Sequence, residues 1–246
     1  MIKKTFSMLF MFITLSSFSV ASVDHVNYKA TFGIFGTVGT IQNKITKKSK
    51  TYKIESKVKF AGLAKVLMGG QVEHYVSKGH MKNGLMISDV YTMTSTKKDK
   101  KKIKEYRINH RSKHVIKRVR EWKKGKLVKD RKETLKFYAK DDLLTLYFNL
   151  GEAVHKIGKK YHFKAVGLEK QQGKVQITVP SKNKQAPYIK DLGNGASLYA
   201  KALIHQKNFK KKKGDILLSL AKDGYIEKSV IKDVILYGDA KIERLR

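Results

Sequence analysis

Residues 52–60 read Tyr52-Lys53-Ile54-Glu55-Ser56-Lys57-Val58-Lys59-Phe60, an alternation of apolar or small side chains with charged ones. Successive side chains of a β-strand point to opposite faces, so this period of two predicts a strand. One face would carry Tyr52, Ile54, Ser56, Val58 and Phe60. The stretch therefore predicts a sheet with one packed face and one solvated face.

The same alternation recurs on both sides of this strand. It predicts further strands at residues 28–32, 71–77, 86–94, 106–108, 115–119, 161–166, 174–179 and 197–206. The clearest hairpin lies near the end of the chain, where Asp223-Gly224 separates the apolar run 215–221 from a strand that starts at Tyr225 and runs towards Leu236. Asp-Gly between apolar strands is a strong hairpin signal. We therefore expect a mainly β protein, an antiparallel meander that forms a curved sheet or a barrel-like domain.

One segment departs from this alternation. In residues 141–150 the apolar side chains recur at helical spacing, at Leu143, Leu146, Tyr147 and Leu150. This pattern predicts one short helix near 141–150 with a buried face, and Asp141 is the expected N-cap. The spacing of Leu63, Val66 and Leu67 favours a shorter helix or a loop after the strand at 52–60.

The first 21 residues have the composition of a secretory signal peptide. Lys3 and Lys4 precede the apolar stretch 6–15, and Ser19-Val20-Ala21 supplies the small residues of a cleavage site. An uncleaved anchor is the alternative, but the stretch is shorter than the roughly 20 residues that span a membrane. We expect cleavage after Ala21, export to the periplasm, no transmembrane span afterwards, and a single β-rich domain over residues 22–246.

The chain is strongly basic, with 54 Lys and Arg residues against 20 Asp and Glu and a formal charge of +34. Such charge often indicates nucleic-acid binding, but an exported protein meets anionic lipids and cell-wall polymers instead. The expected partner is therefore an anionic cell-envelope component or a membrane surface, and not a nucleic acid. No cysteine is present, which excludes disulfides, cysteine-ligated zinc and cysteine nucleophiles.

The basic charge is densest between Thr94 and Lys136, where 19 Lys and Arg face 5 Asp and Glu. Arginine grips phosphate in a bidentate manner, and aromatic rings add amphipathic contact area. The lysine runs 97–102 and 210–213 are expected at exposed hairpin tips; a merely solvated lysine-rich surface is the alternative interpretation. The candidate ligand-binding residues are Tyr106, Arg107, Arg111, Arg118, Arg120 and Trp122.

The order of short motifs along the chain resembles a family of exported bacterial proteins, the domain of unknown function 3108. The matching motifs are Tyr28 with the turn 35–40, Tyr52-Lys53-Ile54-Glu55-Ser56, Ala61-Gly62-Leu63, Ser77-Lys78-Gly79, the basic hairpins, Asp142-Leu143-Leu144-Thr145-Leu146-Tyr147 and the Asp223-Gly224 hairpin. The family pattern continues Asp-Leu-Leu with Ser, where this chain has Thr145, and it carries a proline near the place of Ile87. The resemblance implies a secreted antiparallel β domain and supplies no catalytic residue.

Catalytic motifs are missing from the sequence. It contains neither a nucleophile elbow nor a phosphate loop. His110 and His114 have the spacing of a zinc helix but flank a predicted turn, and Asp141-Asp142 is better suited to helix capping than to paired catalysis. Glu55 and Glu73 follow no recognisable spacing, although they could approach each other near the glycine-rich bends. We expect no enzyme, no metal and no cofactor.

Three functions stay open at this point. The first is a non-catalytic periplasmic binding or carrier protein for an anionic or amphipathic component such as a phospholipid or lipopolysaccharide. The second is a structural envelope protein that docks on peptidoglycan or on a protein partner. The third is a hydrolase.

Overall fold

The structure is a computed structural model that describes residues 21–168, 171–204, 214–234 and 238–246. Several predicted features lie outside the described residues: the signal peptide before Ala21, the lysine tip 210–213, the last residues of the strand at 197–206 and the end of the final hairpin at Leu236.

Strands dominate the described chain. They are β1 (Ser22–Phe32), β2 (Thr37–Lys47), β3 (Thr51–Phe60), β4 (Val72–Lys82), β5 (Leu85–Lys97), β6 (Lys100–Asn109), β7 (His114–Lys123), β8 (Lys126–Thr134), β9 (Asp141–Asp142), β10 (Lys160–Val166), β11 (Lys174–Thr178), β12 (Leu198–Ile204), β13 (Gly214–Leu220), β14 (Ile226–Val234) and β15 (Gly238–Leu245). The α-helices are α1 (Gly62–Leu67), α2 (Leu143–Phe148), α3 (Leu150–Ala153) and α4 (Ala186–Leu192). The predicted mainly antiparallel β fold is confirmed.

All fifteen described strands belong to one sheet, in the order β8-β7-β6-β5-β4-β3-β2-β1-β15-β14-β13-β12-β11-β10-β9. Neighbours are antiparallel except β9, which pairs in parallel with β10 through Ala165 opposite Asp141. Strand β1 lies between β2 and β15, so the first and last described strands are hydrogen-bonded to each other. The two-residue β9 also contacts β5, which lies far away in the strand order.

The sheet curls so that strands distant in this order share a core. Val166 of β10 packs in one buried cluster with Tyr91 of β5, Tyr106 of β6 and Val115 of β7. The concave face of the sheet is therefore the one that carries the apolar members of each alternating strand. In β3, Tyr52, Ile54 and Ser56 are all buried, as the alternation of residues 52–60 predicts.

A smaller apolar layer covers the convex face. Helix α4 places Ile189 and Leu192 against Tyr199 of β12 and Leu217 of β13. Pro187 stands in its first turn, where the missing N–H has no cost. Helix α4 was not predicted, because its seven residues are too few to show a helical spacing of apolar side chains.

Two further elements differ from the sequence predictions. Strand β8 was not predicted, because it is a solvated edge strand without alternating burial. The single helix predicted near 141–150 is instead two short helices, α2 and α3, which meet at Asn149, and α3 runs on to Ala153. The expected cap Asp141 was wrong by one residue: Asp141 pairs with β10, and the side chain of Asp142 accepts the backbone N–H groups of Leu144 and Thr145.

The described helices are all short. None of them has both the length and the apolar composition that crossing a bilayer requires.

Candidate functional site: an apolar cavity beside helix α2

The chain leaves β8 and passes through the concave side of the sheet before β10 begins. Helix α2 lies on this passage and contacts three separate core clusters. Leu146 packs with core residues of β10–β14, and Phe148 packs with core residues of β1–β5. Leu144 packs both against this second cluster and against the cluster formed by β5, β6, β7 and β10. The helix therefore lies inside the curled sheet and packs against both of its halves.

A buried polar cluster fixes the start of this helix. The carboxylate of Asp142 accepts hydrogen bonds from the backbone N–H groups of Leu144 at 2.8 Å and Thr145 at 2.9 Å. Its second oxygen accepts from the hydroxyls of Ser77 at 2.5 Å and Thr145 at 2.9 Å. The hydroxyl of Tyr52 lies 2.7 Å from that of Thr145 and 3.0 Å from that of Ser77. Strand β3, strand β4 and the start of α2 thus meet in one hydrogen-bonded cluster.

The two adjacent carboxyl groups have different surroundings. Burial raises the pKa of Asp142, which has no solvent exposure, and the Ser77 and Thr145 hydrogen bonds oppose the rise. Burial also raises the pKa of Asp141 to about 6, with Lys140 acting against the shift and Asp142 adding to it. One oxygen of Asp141 is buried without a hydrogen-bond partner. Both carboxyl groups are therefore enclosed by the protein.

The end of α2 is fixed by Asn149. Its side-chain amide donates to the carbonyl of Met86 at 2.7 Å, and its side-chain oxygen accepts from the N–H of the same residue at 3.2 Å. This double contact ties the junction of α2 and α3 to β5. The helix is held at both ends and cannot shift along the sheet without breaking buried hydrogen bonds.

An apolar cavity of about 310 Å³ lies between α2 and the concave face. Its lining residues come from α2, from strands β1–β5 and from β15: Tyr28, Ile41, Asn43, Ser56, Val58, Tyr75, Tyr91, Met93, Leu143, Leu144, Tyr147, Phe148 and Ile242. Several of them, including Val58, Met93 and Ile242, are only half-buried, so the cavity reaches the surface. Its size falls at the lower end of the roughly 300–1,000 Å³ typical of small-molecule sites.

Most polar groups around the cavity are engaged by the protein. The amide of Asn43 donates to the carbonyl of Val26 at 2.6 Å, and the hydroxyl of Tyr75 donates to the carboxylate of Glu73. Burial, followed by this contact with Glu73, raises the pKa of the Tyr75 phenol. Burial raises the pKa of Tyr28 to about 12. These phenols stay neutral, and the cavity presents mainly hydrocarbon and ring surface.

Cationic residues share the concave face with the cavity lining. Lys104 of β6 lies directly opposite Met93 in the β5–β6 register, so both side chains leave the same face. Arg244 of β15 lies opposite Tyr28 of β1 in the same way. Lys104 is half-buried.

The candidate arginines occupy different places from the cavity. By register, Arg107, Arg118 and Arg120 lie on the convex face, and Arg111 is exposed in the turn between β6 and β7. Arg118 is engaged by Asp130 through bonds of 2.8 and 2.5 Å, and Arg107 by Glu105 at 2.7 Å. A phosphate on this face would have to compete with these carboxylates.

The two candidate aromatic residues are separated by the sheet. Tyr106 has no solvent exposure and stacks against Tyr91 inside the concave core. Trp122 lies on the convex face, where Arg120 and Lys101 approach its ring at 5.8 and 5.7 Å. The structure therefore brings Trp122 and Arg120 together on the convex face and places Tyr106 in the concave core. Adjacent residues of a strand point to opposite faces, so Tyr106 cannot share a surface with its neighbour Arg107.

The other residues considered in the sequence analysis do not form the pairs proposed there. Glu73 pairs with Val58, which lines the cavity, so Glu73 faces the concave side. Glu55 is an odd number of residues from Val58 on the same strand and therefore faces the convex side. His110 and His114 flank a β-turn, and His114 contacts Ser112 instead. His110 faces His80 and Asp89, with ring centroids of the two histidines 5.4 Å apart.

Comparisons with known proteins add little to this geometry. No family model matches the chain, and no curated protein matches it. A solved structure titled "Crystal Structure of Beta-barrel-like Protein of Domain of Unknown Function DUF1849 from Brucella abortus" aligns with a TM-score of 0.49 and 10% sequence identity, over 90% of this chain and 95% of that chain. The resemblance to the domain of unknown function 3108 stays a prediction.

The cavity itself was not predicted. Its lining comes from six strands and a helix that are dispersed over more than 200 positions, and no local spacing marks it. A weak signal existed for the neighbouring polar cluster, in the separate motifs that contain Tyr52, Ser77 and Asp142-Thr145. Tyr52 and Ser77 fall at positions where strand alternation demands burial, and Asp142 and Thr145 stand at the start of the predicted helix.

Proposed function

We propose that this protein is a non-catalytic carrier of the periplasm that holds the apolar part of an anionic, amphipathic envelope lipid. The cavity between helix α2 and the concave sheet is the observation that carries the proposal. Its apolar lining favours hydrocarbon by roughly 25 cal/mol for each Å² of apolar surface removed from water. The half-buried rim lets a larger molecule extend out of the sheet.

The charge of the protein supports an anionic ligand. Lys104 stands beside Met93 at the cavity margin, where the polar end of an inserted acyl chain would lie. The formal charge of +34 also attracts anionic lipids over long range, and salt screens that attraction.

Lipid extraction and displacement test the carrier function. Organic extracts of the purified protein are analysed by mass spectrometry, and a fluorescent fatty acid is titrated in solution. Met93→Trp fills the cavity from the concave face of β5 and should weaken fatty-acid binding at least tenfold. Thr94→Trp places the same ring on the convex face of the same strand and should leave the affinity unchanged. Equal affinities in the two variants, or no binding by the wild type, would refute the proposal.

A second function is favoured by the hairpin of β7 and β8. Leu127 and Val128 are 52% and 61% exposed near its tip. Leu127 pairs with Trp122, and the neighbouring lysines are Lys123, Lys124, Lys126 and Lys129. Exposed aliphatic and aromatic side chains among cationic ones are typical of protein surfaces that dock on anionic membranes. We therefore propose that this hairpin tip, more than the paired arginines, contacts the membrane surface.

Sedimentation with vesicles of phosphatidylglycerol tests the docking. Leu127→Ser combined with Val128→Ser should reduce vesicle binding several-fold. The matched control is Val66→Ser with Val72→Ser, which removes two exposed valines elsewhere. Replacing Arg107, Arg111, Arg118 and Arg120 with Gln measures the contribution of the arginines. Equal losses in the tip variant and the valine control would show that Leu127 and Val128 make no specific contribution to vesicle binding and would overturn the docking site.

A further inference from the structure

Three side chains from β4, β5 and the end of β6 converge beside the β4–β5 pair. The Nδ1 atom of His80 lies 3.1 and 3.2 Å from the two oxygens of Asp89, and the Nε2 atom of His110 lies 3.2 Å from the first of them. His80 belongs to β4, Asp89 to β5, and His110 follows the last residue of β6. All three ligand atoms lie within 4.8 Å of one another.

A β-bulge creates this convergence. The register of β4 and β5 pairs Lys78 with Val90 and then Gly79 with Ser88, so Asp89 has no partner. An extra residue of this kind turns a side chain away from the regular alternation, and such bulges often stand next to functional sites. Here the extra residue is the carboxylate that His80 and His110 share.

We propose that His80, Asp89 and His110 form a binding site for Zn²⁺. Zinc takes imidazole nitrogen at about 2.0–2.1 Å and carboxylate oxygen at about 2.0–2.2 Å, almost always in tetrahedral geometry. Two ligand atoms of such a tetrahedron are separated by about 3.3 Å, which follows from those bond lengths. The separations of 3.1 and 3.2 Å in the protein match this edge closely.

The surroundings of the three ligands suit an ion with an open position. The side chains of His80, Asp89 and His110 are 40%, 44% and 27% exposed, so water can complete the coordination and the ion can enter from solvent. Two imidazoles and one carboxylate select zinc and neighbouring transition metals over Mg²⁺ and Ca²⁺, which prefer oxygen ligands.

Tyr138 supplies an outer contact that orients one ligand. Its hydroxyl lies 2.9 Å from the Nδ1 atom of His110, while Nε2 of the same ring lies 2.9 Å from the carbonyl oxygen of Ser88. Without an ion, the Nε2–H donates to that carbonyl. With zinc on Nε2, the proton resides on Nδ1 and is donated to the Tyr138 oxygen, the arrangement usual for metal-bound histidine.

Calorimetric titration of the chelator-treated, full-length protein with ZnCl₂ tests the site. We expect one Zn²⁺ for each chain and an affinity loss of about 100-fold in Asp89→Asn and in His80→Gln. Tyr138→Phe should weaken binding about tenfold, the size usual for an outer contact. His114→Gln is the matched control, because it removes a histidine four residues from His110 that does not face the site, and its affinity should equal that of the wild type.

Co²⁺ replaces Zn²⁺ in a second measurement that does not depend on heat release. The visible absorption of bound Co²⁺ should show tetrahedral coordination in the wild type and in His114→Gln, and should be lost in Asp89→Asn. Circular dichroism verifies that each variant keeps the β spectrum; because the three side chains are partly exposed, we expect them all to fold. Absent zinc binding, or binding that Asp89→Asn and His80→Gln leave unchanged, would overturn the proposal.

Discussion

Replacing Thr145 probes the buried cluster that anchors helix α2. Thr145→Val keeps the shape of the side chain but removes the hydroxyl that donates to Asp142 at 2.9 Å and lies 2.7 Å from Tyr52. A hydrogen bond to a charged group contributes about 1.5–3 kcal/mol, and an unsatisfied buried partner costs about 1–3 kcal/mol. We expect the free energy of unfolding to fall by about 2–3 kcal/mol.

Thr145→Ser is the matched control for this substitution. It keeps the hydroxyl and removes one buried methyl group, which costs about 1 kcal/mol. Urea unfolding followed by circular dichroism should therefore rank the wild type first, the Ser variant second and the Val variant last.

The midpoint shift of the Val variant follows from the slope of the urea transition. With a slope of about 2–3 kcal/mol per molar, a loss of 2–3 kcal/mol moves the midpoint by about 1 M. An unchanged slope would show that the denatured state is unaffected. A Val variant as stable as the wild type, or less destabilised than the Ser variant, would refute the role assigned to the hydroxyl network.

Two further predictions concern the same concave face. Burial raises the pKa of Asp141 to about 6, so the folded protein retains a proton that the unfolded chain releases near pH 4, and stability falls as pH rises between these values. In chelator-treated protein, the free energy of unfolding of Asp141→Asn should equal that of the wild type at pH 4 and be larger by up to about 3 kcal/mol at pH 7. Thermal melts that show the same pH dependence for both proteins would contradict this. A Cβ at Gly79 would lie 1.9 Å from the Ile87 carbonyl oxygen. Gly79→Ala should therefore lower the free energy of unfolding by about 1–3 kcal/mol or more, the cost typical of overpacking. An unchanged urea transition would disprove the close approach.

Alternation was enough to predict most of the sheet. The strand at 52–60 has its buried face where the sequence places it, and the turn at Asp223-Gly224 separates β13 from β14 as predicted. Those elements were predictable because each strand buries one face locally against the same core. Strand β8 was not, because an edge strand can be charged on both faces and still be held by backbone hydrogen bonds to β7.

The candidate site was harder to predict, since it depends on the curl of the sheet. The clustering of arginines in sequence drew attention to β6 and β7, yet alternation sends Tyr106 inward and Arg107 outward. The cavity requires distant strands to meet, whereas the His80–Asp89–His110 cluster lies on the neighbouring strands β4 and β5 and at the end of β6. In the second case, the decisive feature is a bulge at Asp89 that shifts one side chain by a single register step.

The pairing of β1 with β15 has a consequence for how the chain reaches its native state. Strand β1 must leave one edge unsatisfied until β15 is available, because Asn27 pairs with Leu245 and Phe32 with Ala240. Contacts that close a loop of this length form late and slowly, and the exposed strand edge meanwhile invites association with other chains. Before β15 pairs with β1, helix α2 and the contacts of β10 with β5–β7 would hold the two halves of the sheet together. The open edge of β1 is therefore most exposed to other chains in the interval before the final strand pairs.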